Sequence, residues 1–290
     1  MPELDLTLAD GRNLHVYDDG DPVGFPVVVH NGTPSAGLLY GPHVADAAAR
    51  RIRLIGYDRA GYGTSDPAPG RSVADVAGDV EQLLDGLGID RFATWGQSGG
   101  GPHALACGAL LGSRCAAVAT LASVAPFGAQ GLDWLAGMGE SNLAEFAATL
   151  EGADALEPLL VRDAGEMFAG TAAELTEALR SLLSGPDRDA VTSTLGDYLY
   201  AAMFRGTGRR VDGWRDDDLA FVRPWGFEPA DVGVPVLLLQ GEHDLMVPPA
   251  HGRWLADHLP DVDARILPDD GHLTLGRRID EVHAWLHARR

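Results

Sequence analysis

The chain has 290 residues, 46% of them hydrophobic and 22% charged, enough apolar material for one large packed domain or two modest ones. Its 42 acidic residues outnumber 22 basic ones, every one of the latter an arginine, for a formal net charge of −20; this balance argues against nucleic acid and against anionic membranes as partners. No apolar run reaches the roughly 18 residues of a membrane-crossing helix, the N-terminus lacks the basic and apolar regions of a secretory leader, and Cys107 and Cys115 make neither a disulfide framework nor a metal cluster, so a cytoplasmic protein is expected.

Taken in chain order, residues 4–10 and 13–19 alternate with period two around an Asp-Gly-Arg turn, which predicts an antiparallel hairpin. Continuous apolar runs follow at 26–30, 53–58, 92–96, 116–123, 234–241 and 264–268, as strands buried on both faces should read. Helical patterns separate them, at about 38–50, 72–87, 99–112, 251–259 and 276–289, the second with Ser72 as a suitable N-cap. Strand alternating with helix predicts an α/β fold, a mostly parallel sheet flanked by helices with the front hairpin as its antiparallel edge. From 128 to 225 the rhythm breaks into helical patterns alone. This places a helical cap after the sixth strand, with 1–127 and 226–290 forming the core.

The stretch WGQSGGGP, residues 95–102, lies between a strand and a helix. Gly96, Ser98 and Gly100 fit G-x-S-x-G, in which a sharp turn thrusts the serine outward and bulkier residues two positions either side collide with backbone. A plain glycine-rich turn is the competing reading; a dinucleotide fingerprint or a P-loop is not matched. A nucleophilic serine needs a base and an orienting acid. His272 follows the last strand-like run, and Asp244 follows the run at 234–241; both then lie at the same sheet edge as Ser98. Asp133 is a second, weaker acid candidate. The oxyanion donors are expected to be the N–H of Gly99 and that of Thr33, in the loop HNGTP where Gly32 permits close backbone approach. His283 and His287, four apart on the terminal helix, read as a solvated or interface face rather than a metal pair.

Together HNGTP, YDRAGYGTSDP, GQSGG, GEHDLMVP and DDGH resemble the α/β-hydrolase family over the full chain. The resemblance implies an eight-stranded sheet, a Ser98–Asp244–His272 triad and a lid after strand six. It also implies a structural role for Asp58, Gly61, Gly63 and Ser65. Two departures stand out: Asn31-Gly32 aligns with the family's His-Gly, and the iminopeptidase H-G-G-P-G loop is not matched. Serine at 98 argues against the epoxide hydrolases and dehalogenases, which carry aspartate there. The expected activity is hydrolysis of a small apolar carboxylic ester through an acyl-enzyme, without metal or organic cofactor. An aminopeptidase or amidase of the proline iminopeptidase type, and a non-catalytic ligand-binding member, remain as alternatives. The partner is a small-molecule substrate; oligomeric state is not legible. Trp134, Met138, Phe146, Met167, Phe168, Tyr198, Tyr200 and Phe204 are the cap side chains from which an apolar pocket is expected to draw.

Overall fold

The period-two pattern at the front of the chain forms β1 (Glu3–Thr7) and β2 (Asn13–Gly20), paired antiparallel. The structure, a computed structural model, describes residues 2–169, 172–191, 194–208 and 210–290. The apolar runs become β3 (Phe25–His30), β4 (Ile52–Tyr57), β5 (Phe92–Gln97), β6 (Cys115–Leu121), β7 (Val236–Gly241) and β8 (Val262–Leu267). They join the hairpin in one eight-stranded sheet, ordered β1-β2-β4-β3-β5-β6-β7-β8. The pairings β1–β2 and β2–β4 are antiparallel, and the remaining five are parallel.

Alternation along the strands divides the core in two. Val28, Ile55, Val118 and Leu238 face one side, where α2 (Asp75–Gly86) and α3 (Gly100–Leu110) bring Leu83, Leu84 and Leu105. Val27, Val29, Leu54, Leu237 and Leu239 face the other, where α1 (Gly41–Ala49) brings Ala47. Each buried leucine or valine contributes about 1.5–3 kcal/mol by leaving water, so both faces must be covered. Cys107 and Cys115 are free and buried in the first of these layers.

Between β6 and β7 the chain forms α4 (Glu140–Glu151), α5 (Ala153–Met167), α6 (Ala172–Ala178), α7 (Gly185–Val191), α8 (Thr194–Thr207) and α9 (Asp212–Phe221). These helices carry their own apolar cluster, in which Leu156, Leu160, Met203 and Trp214 pack with Tyr62 from the loop after β4. The chain ends with α10 (Pro249–His258), β8 and α11 (Ile279–His287). Among the described residues, no helix is long and apolar enough to cross a membrane.

Two local expectations change. Ser72 does not cap α2: Ala74 holds the N-cap position, its N–H donating to the Trp225 carbonyl at 2.8 Å, so the helix starts later. Ser72 instead donates its hydroxyl to the Asp75 carboxylate at 2.9 Å. His283 is not on a solvated face. It is fully buried with Nδ1 2.8 Å from Asp46 Oδ2, because α11 packs against α1.

Candidate active site

Only Ser98 and Gly99 separate β5 from α3. So sharp a strand-to-helix turn forces Ser98 to φ 54°, a left-handed conformation that a non-glycine residue adopts only where its surroundings impose it. The Ser98 N–H donates to the Leu121 carbonyl at 2.8 Å, and its own carbonyl accepts from Gly101 N–H at 2.9 Å. A Cβ on Gly96 would strike the Gly100 carbonyl, one on Gly100 the His30 carbonyl, and one on Gly101 the Ser123 side chain. Each glycine is therefore a close approach.

Asp244 sits three residues beyond β7 and is 2% exposed. Its Oδ1 accepts the N–H groups of Met246 and Val247, both at 2.8 Å. Its Oδ2 lies 2.8 Å from His272 Nδ1 and accepts a longer bond, 3.3 Å, from Gln240 Nε2. His272 follows β8 and is also buried. Burial alone lowers the imidazole pKa, but the carboxylates of Asp244 and Asp187 outweigh it and leave His272 raised above its ordinary value.

The loop after β3 passes directly over the serine: a Cβ on Gly32 would lie 3.2 Å from Ser98 Cβ. Asn31 stabilises this loop by donating its side-chain amide to the carbonyls of Ala36 and Leu38, at 2.7 and 2.8 Å. Thr33 and Gly99 face each other across the gap, and among the described residues neither N–H has an acceptor. Thr33 Oγ1 donates to Asp217 Oδ2 at 2.6 Å. That carboxylate, wholly buried on α9, also takes Arg59 and Arg71 at 2.6 Å each and Tyr62 OH at 2.8 Å, with His103 Nε2 at 3.3 Å. Burial opposes its charge, yet Arg59 and Arg71 hold its pKa well below the usual carboxylate range. Arg59 also donates to the Asn31 carbonyl.

Ser98, Gly99, Gly32, Thr33 and His272 line one cavity of about 470 Å³. Of the aromatic and methionine side chains expected there, Met138, Phe146, Met167 and Tyr198 line it. Trp134 instead packs among Phe127, Phe146 and His251, while Phe168, Tyr200 and Phe204 pack on one another. Asp133 is exposed and lines no part of the cavity. Glu140, Glu145, Asp163, Glu166 and Asp218 do line it, and two of these five acids are perturbed. Glu145 accepts Trp214 Nε1–H at 2.8 Å, and Asp218 is 1% exposed with Oδ2 lacking any hydrogen-bond donor among the described residues. Burial pushes both upward, and the charge of Glu145 pushes Asp218 further.

A family model described as the alpha/beta hydrolase fold matches residues 26–276. The chain belongs to the alpha/beta hydrolase fold family. Among curated relatives, this alpha/beta hydrolase is 33% identical over 97 residues to a non-heme chloroperoxidase of Streptomyces lividans, covering 33% of the chain and 35% of that protein. The first curated relatives are thus matched over about a third of their length. A probable proline iminopeptidase of Leptolyngbya boryana is 23% identical over 90% of the chain and 85% of its own length. A thermophilic esterase from Thermogutta terrifontis superimposes with a TM-score of 0.72 at 21% identity, covering 99% of each chain; that likeness concerns the fold.

The motif reading did not find Asp217, Arg59, Arg71 and His103, nor the pair Glu145 and Asp218. The acidic run Asp216–Asp218 was the available signal, but consecutive charges ordinarily mark a solvated face.

Proposed function

We propose that this chain is a serine hydrolase acting on small acyl compounds, carboxylic esters first, through an acyl-enzyme. The arrangement that carries the reading is Ser98 on its strained turn, sharing a cavity with His272, which Asp244 engages, and with Thr33 and Gly99, whose N–H groups lack an acceptor among the described residues. His272 takes the Ser98 proton as Oγ bonds to the acyl carbon, and the carbonyl electron pair moves onto oxygen. The N–H groups of Thr33 and Gly99 stabilise that oxyanion, a contribution of about 3 kcal/mol per donor. The imidazolium then protonates the leaving alcohol as its bond to carbon breaks. Water, deprotonated by His272, attacks the acyl-enzyme; the proton returns to Ser98 as the acid departs. Asp244 holds the Nδ1–H tautomer throughout. In this reading 1–127 and 226–290 are the core and 128–225 is a cap, whose Met138, Phe146 and Met167 give the acyl pocket an apolar wall. Hydrolysis of nitrophenyl acetate and butyrate tests it: Ser98→Ala should lose at least about 10³-fold in kcat, and equal rates in the two proteins overturn it.

Glu145 and Asp218 favour a second reading, an aminoacyl substrate. Burial raises the pKa of both cavity carboxyls, Asp218 buried and Glu145 half-buried, so a substrate ammonium would supply the counter-charge that favours their ionised forms. The iminopeptidase relative is consistent with such a substrate. Prolyl and alanyl nitroanilides distinguish the two. If they are cleaved and Glu145→Gln raises their KM by tenfold or more without changing nitrophenyl butyrate turnover, the aminoacyl reading stands; if they are inert, it falls.

A further inference from the structure

Asp187 lies on α7, far in sequence from His272, and is completely buried. Its side chain meets four donors. Oδ2 accepts His272 N–H at 2.9 Å and the Ser184 hydroxyl at 2.8 Å. Oδ1 accepts Leu273 N–H at 2.8 Å and Thr274 N–H at 3.2 Å. Three successive amides of the histidine loop therefore converge on one carboxylate, an oriented nest of N–H groups of the kind that binds anions. The loop is shaped around this visitor: a Cβ on Gly271 would collide with the Asp187 carboxylate and the Ser184 hydroxyl. Leu273 packs beside Leu183 and Val191, so apolar contact flanks the polar one.

We propose that Asp187 is a positioning residue, which from the helical segment fixes the backbone of the His272 loop and thereby the placement of the imidazole between Asp244 and Ser98. The proposal rests on His272 being the base of the reaction proposed above. The charged groups around His272 are few. Asp244 faces it from the loop after β7, and Asp187 from α7. Asp270, on the histidine loop itself, is engaged by Arg278 at 2.8 Å. Arg188 and Asp189, beside Asp187 on α7, are exposed. Among the described residues, Asp187 is thus, beside Asp244, a carboxylate that favours the imidazolium.

The test is the kcat/KM–pH profile for nitrophenyl butyrate of wild type, Asp187→Asn and Asp187→Glu, with Ser98→Ala alongside. Asp187→Asn removes the charge and turns an amide group toward amide donors. It should lower kcat/KM by about 10- to 100-fold and move the acid limb to lower pH, since His272 then loses its proton more readily. Asp187→Glu keeps the charge but lengthens the side chain by a methylene; its limb should stay in place while kcat falls fivefold or more. An Asp187→Asn protein with wild-type kcat/KM, or one that loses activity with its limb unmoved, overturns the proposal in favour of a purely structural staple. Should Asp187→Asn not fold, Asp187→Glu decides: kcat within twofold of wild type overturns it. A Ser98→Ala protein as active as wild type sinks the hydrolase reading and this proposal with it, whereas an inactive Ser98→Ala beside an unaffected Asp187→Asn sinks only the proposal.

Discussion

A methyl group at position 96 would occupy the space of the Gly100 carbonyl oxygen. Both groups are backbone or backbone-attached, so no rotamer change relieves the clash. Gly96→Ala should destabilise the protein by about 1–3 kcal/mol, read as a lower urea midpoint, and should cut ester hydrolysis more than the stability loss explains, because the turn that presents Ser98 must shift. The imidazole offers a second measurement. With its pKa raised by Asp244 and Asp187 against burial, His272 is protonated, and useless as a base, up to a higher pH than a free imidazole. The acid limb of kcat/KM should therefore lie above about 6.5. Asp244→Asn should drop kcat by about 10⁴-fold by favouring the wrong tautomer, with the remaining activity following a limb at lower pH. These residues were legible because each carries a local signal: glycines on either side of a serine, an acid after a buried run, a histidine before the last helix.

Helix α9 shows where legibility ends. Its three consecutive aspartates leave the helix about 100° apart and meet three environments. Asp216 pairs with Arg215 at 2.8 Å, Asp217 holds Arg59 and Arg71, and Asp218 lines the cavity. No local pattern separates them, since the partners of Asp217 come from positions more than a hundred residues away. Asp217→Ala should cost about 3–5 kcal/mol by stranding two buried guanidinium groups, measured by urea unfolding at pH 7. Because the folded pKa of Asp217 is depressed, its contribution is complete above the unfolded carboxylate value of about 4 and fades as pH falls below it. The gap in stability between wild type and Asp217→Ala should therefore narrow at pH 3. Asp218 has the opposite sign. Its raised pKa means folding favours the protonated acid, so stability declines as pH rises from about 4 through the folded value, and Asp218→Asn should raise Tm more at pH 8 than at pH 5.

At the scale of the molecule, strands such as β3 and β7 announce themselves because both faces are covered where Val27–Val29 and Val236–Leu239 run apolar without a break. The front hairpin was legible for the complementary reason: β1 alternates between exposed and half-buried positions, as an edge strand does. The order β2-β4-β3-β5 is another matter. It depends on crossovers over helices, and no pattern or spacing within the strands ranks them across the sheet. The burial of His283 was not legible in α11 because its partner, Asp46, lies at the other end of the chain.

The salt-bridged carboxylate of Asp217 has a consequence for engineering. Exchanging the helices between β6 and β7 with those of another family member is an obvious route to altered selectivity. Here the joint is electrostatic: Arg59 and Arg71 belong to the recipient scaffold and their counter-ion to the transplanted piece. A hybrid whose donor helices lack an acid at that place inherits two unneutralised cations, one of them against the loop that carries Asn31 and Thr33. Replacing both arginines by neutral residues in such a hybrid should restore yield and thermal resistance together, a result readable from soluble expression and calorimetry.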